Sequence, residues 1–474
     1  MLHPRQKSVM TSVPFVPRMC DLRVEWGWYM NIRMANVGAA IALAVLVAGC
    51  ASGESASPDS TAPVSVGTSV VDPWPDYLSA SRNTAPTWAH TLRRGFSVAQ
   101  LPGLLAQGDL IATVNGPQDF VPSLGFADEA LAAYIQMLQQ GGLAGYQAAV
   151  YAAARDAVAL EQSTGNTVYW LLGNEINSRG KSTSWEPYAD GTQTGLANDP
   201  SYIPAFAEYF MAPIVEMLLR AEADMGADIR LMLGSIANGS GDAQRAWATT
   251  LLNYTFVGTY APSLAGRKVS EFMEYLAFHY SIIDPNWEDT LDYYSAKPGI
   301  RGVFDTEEIG DQAMDAGVGP YQALLGFSRV LHWAIMHERS AAQVRLNYWS
   351  EGQAFAGEAM TLLQGFLGDV VLSELNAPTV TATGGTEAYA FEAGGKRVLL
   401  VFSGRDSSVT LTQVQLAVQG QAAGVSGTLH VFVPDATSNG LTSAAVTPVV
   451  DANGIAINTN VTLPANGVAM FFLD

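Results

Sequence analysis

Two short stretches decide the fold that the sequence predicts: VYWLLGNEI at residues 168–176 and GVFDTEEIG at residues 302–310. Each is a run of apolar, β-forming residues that is bounded by glycine and ends in a carboxylate. Such runs are typical of buried strands. Because functional groups in a parallel α/β barrel sit where the strands end, at the C-terminal rim, we expect Glu175 and Glu307 to face each other across that rim.

Helical and strand-like segments alternate on either side of these two stretches. Apolar residues recur at spacings of three and four over 145–163 and 204–224, which predicts amphipathic helices. Further helices are expected at 97–107 and 321–336. Helix–strand alternation of this kind favours a parallel sheet. The six candidate strands end near residues 115, 175, 235, 280, 307 and 349.

The predicted fold class is α/β, a (β/α)8 TIM barrel followed by a C-terminal antiparallel β-sandwich. Two strands before residue 109 would complete the barrel, and we expect a remnant of the first at residues 66–71. An open doubly wound sheet is the alternative, although no Gly-x-Gly-x-x-Gly follows an early strand. After residue 372 short β-rich segments are separated by turn signals, which is typical of a sandwich.

The expected layout is a signal region at 1–50, a flexible tether at 51–63, the barrel at 64–370 and the sandwich at 371–474. The signal region holds a short basic start, an apolar run and the tetrapeptide Val-Ala-Gly-Cys, which resembles a bacterial lipobox. We therefore expect Cys50 to be lipidated and to anchor the protein in a bacterial cell envelope, facing the periplasm or the outside. A transmembrane anchor is the alternative, but the apolar run is short for a span.

Composition argues against several classes of function. Asp and Glu number 44 against 24 Lys and Arg, a net charge of −20, which disfavours nucleic acid as a partner. No Gly-x-Ser-x-Gly elbow is present, and His337-Glu338 lacks the second His of a zinc helix. Because the 2 cysteines are Cys20 and Cys50, a mature chain starting at Cys50 has no disulfide. We expect neither a cofactor nor a metal, and the oligomeric state stays open.

The carboxylates at the two strand ends have functional and ordinary interpretations. Glu175 could be a general acid, with Asn174 binding a sugar hydroxyl, or could lie in the first turn of the next helix, where the dipole favours it. Asp305, Glu307 and Glu308 could include a nucleophile, bind a divalent cation or be solvated loop charges.

Side chains suited to binding a carboxylate or a sugar end two further strands. His279-Tyr280 closes the strand before Glu307, and the tyrosine hydroxyl could hydrogen-bond a nucleophilic carboxylate there. Trp349 ends the last strand, where its indole could stack on a sugar face. All three side chains are also ordinary core residues.

Four motifs together resemble the large clan of retaining glycosidases built on a (β/α)8 barrel. YWLLGNEI at 169–176 is similar to the clan's strand-four motif and FDTE at 304–307 to its strand-seven motif. FHY at 278–280 and NYW at 347–349 fall where the clan has strands six and eight. Arabinofuranosidase-like and glucuronidase-like families resemble the chain most, since they often carry a trailing β-sandwich and a strand ending in Asn near Gly, here Asn115.

This resemblance, which covers about residues 65–474, implies a retaining glycoside hydrolase acting on a poly- or oligosaccharide. Glu175 would be the acid/base and Glu307 the nucleophile, with carboxyl groups about 5–5.5 Å apart. Tyr280 would orient the nucleophile. The residues that would contact substrate are Asn115, Asn174, His279, Tyr280 and Trp349.

Two alternatives stay open, because the clan's first strand and the Arg-rich turn after its second strand are not visible in the sequence. One is a surface lipoprotein that binds glycans on a degenerate barrel without turnover. The other is a metal-dependent lyase or hydrolase that uses the carboxylates between Asp305 and Glu308.

Strand alternation favours Glu307 over Glu308 as the nucleophile. Neighbouring residues on a strand point to opposite faces. Placing Asp305 against the helices would bury a charge, so we expect Phe304 to face the helices and Asp305 the barrel interior. Glu307 would then face the interior as well, unless a bulge at Thr306 inverts the order.

Overall fold

A closed eight-stranded parallel barrel forms the larger part of the molecule and confirms the predicted fold class. The computed structural model describes residues 68–81, 85–124, 128–178, 185, 196–307, 318–348, 354–418, 424–433, 441–451 and 453–474. The barrel strands are β1 Leu78–Ala80, β2 Thr91–Gly95, β3 Asp109–Val114, β4 Val168–Leu172, β5 Arg230–Ile236, β6 Tyr275–His279, β7 Gly302–Glu307 and β8 Val344–Tyr348. Each pairs in parallel with the next, and β1 pairs with β8 to close the ring.

Helices alternate with these strands and share one apolar core with their outer faces. The predicted helices at 145–163, 204–224 and 321–336 are confirmed, and the one at 97–107 is shorter than predicted. The helices are α1 Leu101–Leu105, α2 Asp128–Gln139, α3 Leu143–Thr164, α4 Ile203–Ala205, α5 Ala212–Met225, α6 Asp242–Asn253, α7 Trp287–Ser295, α8 Val318–Met336 and α9 Ala354–Leu367.

The first barrel strand lies later in the chain than the sequence predicts. Residues up to 67 are outside the described part of the chain, and Ser69 forms an isolated bridge with Ser373 rather than a barrel strand. The true β1 is Leu78–Ala80, whose three residues are all buried. A strand of three residues is too short to show the alternation of apolar and polar residues that would identify it in the sequence. In the structure the buried side chains of Trp74 and Tyr77 anchor the segment just before it.

Phe304 faces the interior of the barrel, so the prediction that it packs against the helices is wrong. Its ring centroid lies 5.2 Å from that of Tyr169, on β4, a strand that is not adjacent to β7. Two strands that are not neighbours can make such a contact only through the interior. The interior cluster consists of Ile111, Tyr169, Leu171, Met232, Tyr275, Ala277 and Phe304.

A bulge in β7 restores the inward direction of Glu307. In the pairing with β6, Phe278 opposes Asp305 and the next residue, His279, opposes Glu307. Thr306 is therefore the extra residue on β7. Because one inserted residue reverses the alternation, Asp305 and Glu307 do not share a face in the way that the sequence analysis assumed.

Two antiparallel sheets follow the barrel, as predicted. One has six strands in the order β15-β14-β18-β12-β11-β9 and the other four, in the order β10-β13-β17-β16. The predicted boundary at 370/371 falls between α9 and β9, and the division into separate domains stays a prediction. These strands are β9 Ser373–Glu374, β10 Thr379–Ala382, β11 Thr386–Ala393, β12 Lys396–Ser403, β13 Val409–Leu416, β14 Gly427–Phe432, β15 Thr442–Val446, β16 Val449–Asp451, β17 Gly454–Leu463 and β18 Val468–Leu473.

The six-stranded sheet packs on the barrel through a shared apolar core. Phe327 on α8 contacts Phe391 on β11, with ring centroids 5.6 Å apart. Phe402 and Phe472 belong to the same core as the barrel helices, and residues 63–474 form one compact unit. The sandwich is therefore joined to the barrel by packing as well as by the chain.

One helical stretch among the described residues, Pro200–Met225, is long and apolar enough to cross a membrane, but 78% of its most apolar window is buried inside the protein. The stretch contains a π-helical turn, Phe206–Met211, immediately before Pro213. Proline cannot donate the helical hydrogen bond to the carbonyl four residues earlier. The Tyr134 hydroxyl donates to that Tyr209 carbonyl instead, at 2.6 Å. Burial in the core thus accounts for the apolar character of this stretch, and the contact with Tyr134 accommodates its π-helical turn.

Candidate active site

Five of the residues predicted from the sequence meet at the C-terminal mouth of the barrel: Asn174, Glu175, His279, Tyr280 and Glu307. One carboxylate oxygen of Glu175, one of Glu307 and a ring nitrogen of His279 all lie within 4.8 Å of one another. Two carboxylates this close in a partly closed site can divide acid and base roles between them.

The end of β4 directs Glu175 into this mouth through two unusual backbone conformations. Gly173 has φ +98°, and a Cβ there would lie 2.4 Å from the side chain of Ile176, so only glycine fits. Glu175 itself has φ +50°, which is uncommon for a residue with a side chain. Its N–H donates to the hydroxyl of Ser235 at 3.3 Å, which ties the turn to β5. Strained backbone of this kind is found at functional sites and needs surrounding contacts to persist.

Glu307 is surrounded by groups that stabilise a negative charge. The Arg93 guanidinium donates to Oε2 at 3.2 Å and the Tyr280 hydroxyl donates to Oε1 at 2.9 Å. His279 Nδ1 lies 3.3 Å from Oε2. The Glu307 side chain is only 9% exposed, so these contacts act with little screening by water. Burial, reinforced by the charge of Glu307, raises the pKa of the Tyr280 hydroxyl, which therefore remains a donor.

Arg93 is the functional residue that the sequence analysis missed. It lies in the middle of β2, is buried, and joins the two strand ends by donating also to Asn174 Oδ1 at 2.5 Å. Burial lowers its pKa by disfavouring the charged guanidinium, and the Glu307 carboxylate opposes that shift. The sequence TLRRG at 91–95 gives no clear signal, because two adjacent arginines beside one leucine are typical of a surface segment.

His279 lies between the two carboxylates. It is fully buried, and Nδ1 is 3.4 Å from Glu175 Oε1 and 3.3 Å from Glu307 Oε2. Its other nitrogen, Nε2, has no hydrogen-bond partner within the described part of the chain. A buried N–H without an acceptor costs more than a buried lone pair, so we assign a proton to Nδ1. That N–H can donate to Glu175, and Glu307 Oε2 lies close beside it.

Asp305 holds the loop that follows β6. It is 1% exposed, and its carboxylate accepts hydrogen bonds from the N–H groups of Ser281 at 3.0 Å, Ile282 at 3.4 Å and Glu307 at 3.2 Å. These bonds occupy the carboxylate that the metal interpretation needs, and they exclude a solvated loop charge at this position.

Asn347 on β8 supports the bulge in β7. Its amide donates to the carbonyl of Thr306 at 2.8 Å and to the hydroxyl of Ser81 at 3.0 Å, while its Oδ1 accepts from Ser79 at 2.9 Å. A bulge leaves backbone groups out of the strand ladder, and here a buried side chain satisfies one of them. Strands β8 and β1 thus fix the last residues of β7.

Among the described residues, one predicted residue, Asn115, is not part of this cluster. Asn115 is exposed after β3, and its N–H donates to Asp119 Oδ2 at 2.6 Å. It contacts neither glutamate through any hydrogen bond seen among the described residues. Trp349, Glu308 and Cys50 lie outside the described residues.

Comparison with known proteins gives remote structural similarity alone. No protein-family model and no curated protein matches the sequence. Similar solved structures include a family 30 endoxylanase from Clostridium papyrosolvens, at 13% identity over 86% of this chain and 97% of that chain, with a TM-score of 0.38.

Two further structures of this kind are also glycoside hydrolases. A bacterial orthologue of human α-L-iduronidase is 12% identical over 86% of this chain and 82% of its own, with a TM-score of 0.47. A family 86 β-porphyranase from Bacteroides plebeius is 12% identical over 69% of this chain and 60% of its own, with a TM-score of 0.37. At such identities the chemistry of the site has to be argued from its own residues.

Proposed function

We propose that this protein is a glycoside hydrolase that cleaves O-glycosidic bonds of an oligo- or polysaccharide with retention of configuration. The observation that carries the proposal is the facing pair of Glu175 and Glu307, with carboxylate oxygens within 4.8 Å at the C-terminal mouth. Retaining hydrolysis uses carboxyl groups about 5–5.5 Å apart, whereas inverting enzymes leave about 6.5–9.5 Å for a water molecule. The spacing supports retention.

The surroundings of the two carboxylates support different roles. Glu307 accepts hydrogen bonds from Arg93 and Tyr280, which hold its carboxylate in place for attack on the anomeric carbon. Glu175 is more exposed, with 28% of its side chain accessible, and can reach a leaving-group oxygen at the mouth. In the first step Glu175 gives its proton to the leaving oxygen while a Glu307 oxygen bonds to the sugar. In the second step Glu175 takes a proton from water while the water oxygen bonds to the anomeric carbon, and the bond between that carbon and Glu307 breaks.

His279 and Arg93 have supporting roles in this scheme. The Nδ1–H of His279 can follow the negative charge as it passes between the carboxylates, since it is near both. Arg93 holds Glu307 and, through its bond to Oδ1, leaves the Asn174 amide free to donate to a sugar hydroxyl. The proposal therefore retains Asn174 as a substrate-binding residue.

Neither alternative is favoured by a feature of the structure. A degenerate barrel was suggested by the missing first strand, and the barrel is closed by β1. The metal centre expected from the sequence would need Asp305, whose carboxylate is engaged by backbone N–H groups. Glu175, His279 and Glu307 also offer three ligand atoms within 4.8 Å, but the Arg93 guanidinium on Glu307 Oε2 opposes a cation there. Release of nitrophenol from aryl glycosides tests the activity, with arabinofuranosides and glucuronides included because of the families that the motifs resemble.

The stereochemical course gives the sharpest test of the mechanism. Proton NMR of the first product formed from an active aryl glycoside should show the anomeric configuration of the substrate. Appearance of the opposite anomer would overturn the retaining mechanism and leave hydrolysis itself intact.

The acid role of Glu175 can be separated from the nucleophile role of Glu307 with two leaving groups. Glu175→Gln should lower kcat/KM, which reports the first step, by about 10²–10⁴-fold for a poor leaving group and far less for dinitrophenyl glycosides, because their departure needs no proton. Glu307→Gln is the matched control and should fail on both substrates. Equal losses for both leaving groups in Glu175→Gln would contradict the assignment.

We also propose, on the sequence alone, that Cys50 anchors the protein to a bacterial envelope membrane. Cys50→Ala should move the protein to the membrane-free fraction or block its processing. Continued membrane attachment of a correctly processed Cys50→Ala protein would refute lipidation.

A further inference from the structure

A short loop connects Tyr280 to helix α7 and is held by two arginines. The first, Arg329 on α8, donates from Nη1 to the carbonyls of Ile282 at 2.8 Å and Asp284 at 3.0 Å. The second, Arg405, lies between β12 and β13 of the sandwich and donates to the carbonyl of Ile283. We call residues 282–284 the β6 loop. Its successive carbonyls are thus all bound by guanidinium groups.

Contacts with the sandwich hold both arginines in position. Arg405 belongs to it directly, and its guanidinium also lies 3.7 Å from the Asp284 carboxylate. Arg329 is buried and paired with Glu387 on β11 by two hydrogen bonds, each 2.8 Å long. Although burial alone would raise it, this pairing with Arg329 lowers the pKa of Glu387 and keeps the pair ionised. The β6 loop is therefore fastened to the sandwich at two points.

Tyr280 is the residue that needs this support. It has φ +57°, a conformation that a residue with a side chain adopts only when its surroundings impose it. Immediately after it, Ser281 is held by Asp305 and donates from its hydroxyl to the His279 carbonyl at 3.0 Å. If the β6 loop moved, the displacement would pass through Ser281 to Tyr280, whose hydroxyl donates to Glu307.

We propose that the sandwich is a positioning element of the active site, which acts through Arg405 and the β6 loop to keep the Tyr280 hydroxyl on Glu307. The proposal deepens the proposed function and rests on it. A series of contacts runs from Arg405 on the sandwich, through the β6 loop and Tyr280, to the Glu307 carboxylate in the barrel. Arg405 is a positioning residue, since it touches the loop and not the reacting atoms.

Arg405→Ala is the direct test, because Arg405 is partly exposed and its loss spares the buried Arg329–Glu387 pair. We expect kcat on an aryl glycoside to fall about tenfold with KM changed less than about twofold, since small misplacements of a catalytic group cost up to 10²-fold. Arg405→Lys should recover most of the rate, because lysine can still donate to the Ile283 carbonyl. Lys396→Ala is the matched control: Lys396 also donates from the sandwich to a barrel carbonyl, that of Phe366 on α9, at 2.7 Å.

A double-mutant cycle shows whether Arg405 acts through Tyr280. In a Tyr280→Phe background, which has already lost the hydrogen bond to Glu307, Arg405→Ala should change kcat less than about twofold. A tenfold loss in both backgrounds, or a loss equal to that of Lys396→Ala, would overturn the proposal and leave Arg405 with a merely structural role.

Hydrogen exchange keeps this test independent of the proposed function. The Ser281 and Ile282 amides are protected by Asp305, and peptides covering them should exchange several-fold faster in Arg405→Ala but not in Lys396→Ala. If the wild type hydrolyses no glycoside, the proposed function fails and exchange alone decides whether the sandwich holds the loop. Unchanged exchange in Arg405→Ala would overturn that connection.

Discussion

Arginines and acidic residues lie at both mouths of the barrel, but they have different roles at each. At the N-terminal mouth, around a cavity of about 600 Å³, the arginines are paired with acids: Arg345 lies 3.4 Å from Asp109 and Arg230 lies 3.7 Å from Glu161. These two acids also accept backbone N–H groups at the start of β4. Such pairs neutralise charge and fix strand ends, which is a structural role.

At the C-terminal mouth two acidic groups share one arginine. The side chains of Glu175 and Glu307 face each other beside the buried guanidinium of Arg93. The backbone is strained at Glu175 and at Tyr280. Acidic groups held together by strained backbone lower stability and are kept where chemistry needs them. The difference predicts that substitutions at one mouth change rate and those at the other change stability.

The largest effect should come from the nucleophile. Glu307→Gln should lower kcat on an activated aryl glycoside on the order of 10⁴-fold or more, with little loss of stability. Glu308→Gln should retain a measurable fraction of activity. At the other mouth, where burial raises the pKa of Glu161 to about 7, Glu161→Gln should leave kcat unchanged. Loss of activity in Glu308→Gln with an active Glu307→Gln would transfer the nucleophile to the neighbouring residue.

The next effect should come from the arginine that joins the two strand ends. Arg93→Lys keeps a positive charge but cannot bind Glu307 and Asn174 at once with the fork of a guanidinium. We expect kcat to fall on the order of 10²-fold, the usual cost of losing one charge-stabilising donor in a site. Steady-state kinetics on the aryl glycoside measures this. A rate within about twofold of the wild type would show that Arg93 has the structural role typical of the opposite mouth.

The sequence identified the two catalytic candidates and Tyr280, which contacts Glu307, but not Arg93. The ends of β4 and β7 were readable because long apolar runs stop at Glu175 and Glu307. Arg93 was not, because a buried arginine looks like a surface residue until its anion is known. The inward direction of Glu307 was predicted by an argument whose alternation is wrong at Phe304, and the Thr306 bulge corrects it. Alternation predicts the face on which a strand side chain lies only while the strand has no bulge. Tertiary contacts decide where a bulge such as that at Thr306 occurs.

Stability rather than rate should change when an arginine of the N-terminal mouth is removed. Arg345 is 3% exposed, and its guanidinium lies 5.2 Å from the ring of Tyr169 and 5.3 Å from that of Phe304. Arg345→Met loses these contacts and the pairing with Asp109, partly offset by removing two buried guanidinium nitrogens that have no hydrogen-bond partner within the described residues. We expect a net loss of about 1–2 kcal/mol, seen as a lower Tm.

For Arg345→Met the rate on the aryl glycoside is the control measurement. Because the N-terminal mouth is separated from Glu175 and Glu307 by the interior layer around Phe304, kcat of the folded variant should stay within about twofold of the wild type. A tenfold fall in kcat at unchanged Tm would show that the two mouths are not independent.

The smallest expected effect is a pH dependence at the N-terminal mouth. His90 lies between two carboxylates, with Nδ1 2.6 Å from Asp76 and Nε2 3.2 Å from Asp369. The hydrogen bond to Asp76 raises the pKa of His90 in the folded state above its ordinary value of 6.5. Stability that comes from the charged ring is therefore fully present below pH 6.5 and is lost as the pH rises through the folded-state pKa. Glu161, whose pKa burial raises, changes stability in the same direction, so the wild-type curve alone does not isolate His90.

Subtracting the curve of His90→Asn isolates the contribution of the ring, because asparagine keeps a hydrogen-bonding side chain and removes the charge. The Tm advantage of the wild type over His90→Asn should be largest near about pH 5.5, where His90 is charged, and should shrink toward about pH 9. Because 40% of the His90 side chain is exposed, screening by solvent keeps the effect below about 1 kcal/mol. A Tm difference that stays constant across this range would mean that His90 stabilises the mouth by packing alone. A Tm difference that grows with pH would mean that the charged ring destabilises the fold, which would contradict a stabilising interaction of His90 with Asp76 and Asp369.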